Sequence, residues 1–151
     1  MYKAIDIANW FIFYNEFKRN MMNEDTDYMS NLRLQKLVFY AQSAAMALKG
    51  KPLFEEKIEA WTHGPVIPEV YAELKKYKSS GISEYNEESI QKISKEDSKI
   101  LEQVYEIFGE YSAWGLRNLT HSEEPWMSTP QGEVISLDKM AKTFKANYIE
   151  D

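Results

Sequence analysis

Apolar residues recur every three or four positions along most of the chain, which is the spacing of one face of an α-helix. The first such face contains Ile7, Trp10, Phe11, Tyr14 and Phe17, and the second contains Leu34, Leu37, Val38, Ala41, Ala45 and Leu48. In the first segment Ile5, Ile12 and Phe13 make the other faces apolar too, which predicts a helix packed on several sides. Ser30 and Gly50 flank the second segment and are residue types preferred at helix N-caps and C-caps.

The second helix is expected to form the centre of the core. We expect Leu37 and Ala41 to be almost fully buried there, with the first helix and the helix that follows Ser94 packed on them. Gln35 and Gln42 lie on one side of this mostly apolar helix. Two interpretations of these glutamines stay open, because a buried hydrogen-bonding amide and a contact to a partner protein give the same pattern.

The spacing changes in the middle of the chain. Residues 57–62 alternate between polar and apolar, which predicts a short strand or extended arm, and residues 90–93 are expected to supply a second strand. Residues 78–89 are polar and predict a mobile loop. Capping residues and apolar spacing predict further helices that begin at Pro68, Ser94, Ser112 and Ser136. The expected fold is mainly α, a compact bundle of about six helices with a small extended or two-stranded β element.

Composition narrows the class of protein. A length of 151 residues predicts a single domain over 1–151. The chain has no cysteine, which removes disulfides, thiolate zinc sites and cysteine nucleophiles. The formal net charge of −6 argues against nucleic acid as the main ligand, because phosphate binding needs a basic footprint. Residues 4–14 are apolar but are interrupted by Asp6 and Asn9, so we expect no signal segment, no membrane anchor and a cytoplasmic protein.

Two segments, residues 61–71 and 119–126, carry the candidate chemistry. Together they hold both histidines, two of the four tryptophans and three of the five prolines. Proline fixes one backbone angle and glycine relaxes another, so each segment specifies a turn with a defined direction. We expect the two segments to meet in space. The residues assigned to these turns are Gly64, Pro65, Pro68, His121, Pro125 and Trp126.

The two histidines leave several interpretations open. His63 and His121 either fix the two turns by hydrogen bonding or form a polar pair at a cleft. A hydrolase would need one of them as a general base beside a nucleophile such as Ser122. A metal site would need both with Glu69 or Glu123, but the chain lacks the close histidine spacing of common metal motifs. We expect no metal and no cofactor.

Large aromatic and acidic residues also have a structural interpretation. Trp61 and Trp126 are expected to be core aromatics first and contact residues second, because a large ring contributes most by burial. The adjacent Glu123 and Glu124 are expected to lie on the solvated surface.

Six motifs occur in order and together resemble the Panacea domain, the SocA-like antitoxin family of bacteria and prophages. They are residues 30–42, 50–54, 58–61, 63–66, 68–71 and 119–126. The resemblance extends from about Ile5 to Tyr148. One departure is visible, since members of the family often continue past the Pro-Trp pair with basic residues, whereas this chain has Met-Ser-Thr-Pro at 127–130.

The resemblance implies a non-enzymatic protein that works by binding. Panacea domains neutralise protein toxins, usually by direct complex formation, and the toxin is expected to be encoded by a neighbouring gene. The SocA type instead delivers its toxin to a protease, so a protease is the alternative partner. The candidate toxin-binding residues are Trp61, His63, Glu69 and Glu73, and the polar stretch 78–89 is the alternative surface. Toxin identity and oligomeric state stay open.

Overall fold

The computed structural model describes residues 1–21 and 26–149. Within that part of the chain the helices are α1 (Ala4–Asn20), α2 (Asn31–Lys49), α3 (Pro68–Leu74), α4 (Glu87–Lys92), α5 (Lys95–Phe108), α6 (Ala113–His121), α7 (Glu124–Met127) and α8 (Leu137–Tyr148). The two strands are β1 (Glu59–Trp61) and β2 (Gly64–Val66), which pair antiparallel. The mainly α fold with a small two-stranded element is therefore confirmed. The additional helices are the short α4 and α7.

Polar caps begin the main helices where the sequence predicts them. The Ser30 hydroxyl accepts a hydrogen bond from the backbone N–H of Arg33, and Ser94, Ser112 and Ser136 cap α5, α6 and α8 in the same way. Gly50 ends α2 at φ 68°, in the left-handed region that glycine adopts easily. These local interactions satisfy backbone groups that a helix end leaves unpaired.

Helix α2 lies at the centre of the core. Leu37 and Ala41 are both 0% exposed, and α1, α5, α6 and α8 pack around the helix. This confirms the predicted central position. The basic side chains of its first turns, Arg33 and Lys36, are also buried, so they are not available to enter a nucleic-acid groove.

The prediction of a second strand at 90–93 is wrong. Ile90 lies in α4, which Asn86 caps by accepting a hydrogen bond from the backbone N–H of Glu88. Ile90 and Ile93 are three residues apart, a spacing that places two side chains on one face of a helix but on opposite faces of a strand. The backbone beside β1 is supplied by residues 132–135 instead, with hydrogen bonds from Gly132 N to Ala60 O (2.6 Å) and from Ile135 N to Ile58 O (2.8 Å).

The polar stretch 78–89 is also more tethered than a mobile loop. Ile82 is 0% exposed, and its backbone N–H donates to the Met29 carbonyl at 2.7 Å. The Ser89 hydroxyl donates to a carboxylate oxygen of the buried Asp6 at 2.6 Å. One apolar and one polar anchor therefore hold a segment whose composition alone indicates a loop.

No helix in the two described ranges has both the length and the apolar character needed to cross a membrane.

Candidate functional site

The two histidine-containing segments meet, as the sequence predicts. The indole N–H of Trp126 donates to the backbone carbonyl of Trp61 at 2.8 Å. The His121 ring stacks on Trp126 with ring centroids 3.7 Å apart and planes 8° from parallel. On the outer side, the Arg117 Nε donates to Nδ1 of His63 at 3.1 Å. Helices α6 and α7 therefore lie against the β1–β2 hairpin, and each histidine has its own partner.

His121 occupies a structural position between the two segments. Its Nε2 atom is buried and has no hydrogen-bond partner among the described residues. Burial lowers the pKa of His121 first, the positive charge of Arg117 lowers it further, and a hydrogen bond with the Thr62 backbone acts in the opposite direction. The lowered pKa favours the uncharged form of the ring, which suits an imidazole stacked on Trp126.

Lys36 is buried directly under the hairpin. Its ammonium group donates to the Pro65 carbonyl at 3.0 Å. Burial, and then the nearby charge of Arg117, lower the pKa of Lys36 to about 7. Gly64 has φ 108°, and a Cβ built there would lie 2.7 Å from Lys36 Cε and 2.9 Å from Thr120 Oγ1. The hairpin can approach the lysine stem this closely because residue 64 has no side chain.

Gln35 and Gln42 are buried hydrogen-bond formers. The side-chain carbonyl of Gln35 accepts from the backbone N–H of Ile67 at 2.8 Å. Gln42 bonds an extended segment twice, accepting from Leu53 N at 2.7 Å and donating to Phe54 O at 2.9 Å. Both amides therefore fix the path of the chain after α2, which settles the choice that the sequence left open.

Glu123 corrects the expectation that both glutamates at 123–124 are solvated. Its carboxylate is buried and accepts hydrogen bonds from the Tyr40 hydroxyl at 2.6 Å and from the Tyr148 hydroxyl. Burial first, and then interaction with Glu123, raise the pKa of each tyrosine. The two hydroxyl donors explain how a carboxylate is tolerated there. Glu124 remains exposed.

The catalytic and metal interpretations find no support in this geometry. The Ser122 hydroxyl donates to the Leu119 carbonyl at 2.7 Å, and no hydrogen bond joins it to either imidazole in the described structure. Glu123 is engaged by tyrosines. Across residues 1–21 and 26–149, no group of three or more histidine and acidic side chains is arranged to hold a metal ion.

An aromatic surface lies beside His63. Trp114 is 54% exposed, its ring centroid lies 5.7 Å from that of His63, and the Arg117 guanidinium is 4.2 Å from the same indole. Trp114 is not among the candidate residues that the sequence motifs indicate. Helical spacing does indicate its exposure, because Trp114 lies two residues before the buried Leu116 and therefore on another face of α6.

An open groove of about 540 Å³ runs along the other side of the hairpin. Its walls are Trp61 and Tyr71, whose rings meet edge to face at 5.2 Å and 64°. The polar and charged lining residues include Asn31, Thr62, His63, Lys75, Lys78 and Gln131. Glu69 and Glu73 are exposed on α3. They are two residues from Tyr71 in either direction and so lie on a different flank of α3 from the groove.

The described residues thus form a mainly helical domain in which motif residues hold the β1–β2 hairpin next to exposed aromatic side chains. The chain belongs to the family "Antitoxin SocA-like, Panacea domain", whose model matches residues 34–127. It is similar to Antitoxin SocA of Caulobacter vibrioides (strain NA1000 / CB15N), with 49% identity over 43 residues. That match covers 28% of this chain and 23% of the relative's length. No solved structure matches.

Proposed function

We propose that this chain is the antitoxin of a bacterial or prophage toxin–antitoxin pair, and that it neutralises a protein toxin by direct complex formation in the cytoplasm. The toxin is the product of a neighbouring gene. Membership of the SocA-like family supports the antitoxin role. In this proposal residues 1–151 act as one Panacea domain without a cofactor.

The observation that carries the proposal is the exposed cluster formed by Trp114, His63 and Arg117. Tryptophan and arginine are enriched among the residues that dominate the binding energy of protein interfaces. A large exposed indole that lies beside polar groups such as His63 and Arg117 is suited to burial by another protein. The buried contacts of Gln35 and Lys36 hold the neighbouring hairpin rigid, which lowers the ordering cost of binding.

The proposed toxin-facing surface includes Trp61, His63, Glu69 and Glu73. The side chains of His63, Glu69 and Glu73 are exposed, and Trp61 is half-buried at the end of β1. The net charge of −6 would speed association with a basic toxin surface by electrostatic attraction. Glu69 and Glu73 are the residues of this surface best placed to contribute that attraction.

Co-expression with the product of the adjacent gene tests this function. We expect growth to be restored and the two proteins to copurify, and Trp114→Ala to reduce both. Leu48→Ala is the matched control, because Leu48 is 49% exposed on α2, away from the hairpin. Toxin abundance separates the mechanisms: direct occlusion leaves it unchanged, whereas delivery to a protease lowers it. If the wild-type chain neither restored growth nor copurified with the adjacent gene product, the proposal would be overturned.

A further inference from the structure

The groove beside the hairpin differs in charge from the rest of the protein. Lys75 and Lys78 lie in its lining, and none of the described residues that line it is an aspartate or glutamate. The chain as a whole carries a net charge of −6. A positive groove on an acidic protein favours a negatively charged ligand, because opposite charges attract. The acidic surface outside the groove repels such a ligand and so directs it to the groove.

The groove also has the surface of a peptide-binding site. Trp61 and Tyr71 supply apolar area on one side. The exposed Gln131 supplies an amide, a group that pairs with a peptide backbone. Gln35 closes the floor, and both ends of its amide are occupied by Ile67 N and Asn31 Oδ1. The floor is therefore rigid, and the binding groups stand on the rim.

Lys78 is held in a backbone conformation that lysine rarely adopts. Its φ is 53° and its ψ is −123°, and the backbone N–H of Ser80 donates to the Tyr77 carbonyl at 2.9 Å. These values place Lys78 at the first central position of a type II′ turn, where glycine is the usual residue. Backbone strain of this kind often accompanies a functional site. At Lys78 it accompanies a positive side chain on the groove rim.

We propose that this groove binds an acidic segment of the toxin. Carboxylates of that segment pair with Lys75 and Lys78, and its apolar side chains pack on Trp61 and Tyr71. The inference rests on the proposed antitoxin function and names the partner chemistry of one part of its surface. Nucleic acid is the less favoured anion, because two lysines on an acidic protein make a small phosphate footprint.

The groove and the acidic flank of α3 contact different parts of the toxin in this arrangement. Tyr71 and Lys75 are four residues apart and share one flank, whereas Glu69 and Glu73 share another. A partner that covers the exposed side of α3 meets negative charge on one flank and positive charge on the other. Complementary charges on the toxin would then fix its orientation.

Charge reversal in the groove is the first test. The double variant Lys75→Glu/Lys78→Glu is compared with Lys95→Glu/Lys142→Glu, which changes the net charge equally at exposed lysines outside the groove. Affinity for the toxin is measured by calorimetry. We expect the groove variant to bind at least about tenfold more weakly and the control to bind within about twofold of wild type. Equal affinities for the two double variants would overturn the groove assignment while leaving the antitoxin function intact.

The glycine variant Lys78→Gly separates binding from stability. Removing the strained side chain should raise the Tm by about 2–4 °C, whereas toxin binding should weaken because one positive charge is lost. A purely structural lysine would give a higher Tm with unchanged affinity, and that result would contradict the proposal. Opposite changes in the two measurements support it.

A peptide probe tests the groove independently of the toxin. The probe is a glutamate-rich peptide with one tryptophan, and its lysine-rich counterpart is the control. We expect only the acidic peptide to bind the wild-type protein. Its binding should be lost in the Lys75→Glu/Lys78→Glu variant. Preferential binding of the basic peptide, or displacement of the acidic peptide by a single-stranded oligonucleotide, would overturn the assignment. Failure of the wild-type chain to bind the toxin would instead remove the proposed function, and the peptide result would then decide the groove alone.

Discussion

The indole N–H of Trp126 donates to the backbone carbonyl of Trp61 at 2.8 Å, and 65 residues of chain separate the two. This hydrogen bond joins the segment after α6 to the end of β1. It uses the polar end of Trp126 while the flat face of the ring stacks on His121. Two motifs that are distant in sequence therefore form one structural unit. Trp126 packs against the core, whereas the half-buried Trp61 lines the groove.

Truncation of Leu37 should show that α2 is the centre of the core. Leu37→Ala is expected to lower the free energy of unfolding by about 2–5 kcal/mol, because it leaves a cavity in a fully buried position. Urea denaturation measures the loss. Leu48→Ala, at an exposed position of the same helix, should change stability by less than about 0.5 kcal/mol. A loss below about 1 kcal/mol for Leu37→Ala would contradict the central placement.

Two glycines in left-handed conformations should respond differently to a methyl group. Gly64→Ala is expected to lower the free energy of unfolding by about 3 kcal/mol, because the new Cβ meets Lys36 and Thr120 and the backbone is also strained. Gly132→Ala adds a methyl group to open space and should lose only the strain, about 1 kcal/mol. The difference between the two variants, measured by denaturant unfolding, isolates the contact with Lys36. Equal losses would show that the close approach is unimportant.

The buried carboxylate of Glu123 should depend on its tyrosine donors. Tyr40→Phe removes the hydrogen bond to Glu123 Oε1, and we expect a loss of about 1–3 kcal/mol because a buried acceptor is left unpaired. Thermal and urea unfolding provide the readout. Glu124→Gln is the control at the adjacent exposed position, with an expected change below about 0.5 kcal/mol. If Tyr40→Phe behaved like the control, the network would contribute little to stability.

Stability above neutral pH should report the buried ammonium of Lys36. Its pKa is about 7 in the folded protein against 10.5 for an ordinary lysine. Between these values the unfolded chain binds more protons, so the free energy of unfolding rises with pH. Wild type should therefore gain stability relative to Lys36→Met from pH 7 to pH 10, and the difference should be constant below pH 7. A pH-independent difference across that range would contradict the lowered pKa.

Charge reversal on the acidic flank of α3 tests the proposed toxin surface. Glu69→Lys/Glu73→Lys should weaken toxin binding, mainly through slower association at low salt, and leave the Tm nearly unchanged because both side chains are exposed. Stopped-flow association measures the rate. Glu55→Lys/Glu102→Lys makes the same charge change at exposed positions outside both α3 and residues 78–89. Full protection of cells and unaltered affinity in the α3 variant would reject these two glutamates as toxin contacts.

Local chemistry was predictable from the sequence, whereas most long-range pairing was not, the meeting of the two histidine-containing segments being the exception. The caps at Ser30, Ser94 and Gly50 follow from residues within a few positions of each helix end. Glu123 was misplaced on the surface because its partner Tyr40 lies 83 residues away. Two adjacent glutamates are ordinarily expected at the solvated surface, and only distant donors such as Tyr40 explain why Glu123 is buried.

The same limit applies to the candidate site. Proline and glycine predicted the two turns, since each turn is encoded locally. The expectation that the turns meet came from the residue types that they share, namely a histidine and a tryptophan in each segment. The roles of Lys36 and Trp114 depend on which side of a helix faces the hairpin, and this is decided by packing of the whole domain. Lys36 lies at 0% exposure for this reason, although lysine is a residue type that is almost never fully buried.

Residues 132–135 lie beside β1 through backbone hydrogen bonds to Ile58 and Ala60, and this has a consequence for when the protein becomes active during synthesis. Residues as far as 135 must be synthesised before the hairpin gains this neighbour, because such contacts form only when both segments are available. A nascent chain that ends before residue 132 would carry every motif of the hairpin but not its completed support. We therefore expect binding competence to appear only after residues 132–135 have emerged from the ribosome, and under the proposed function neutralisation of the toxin would begin no earlier than that.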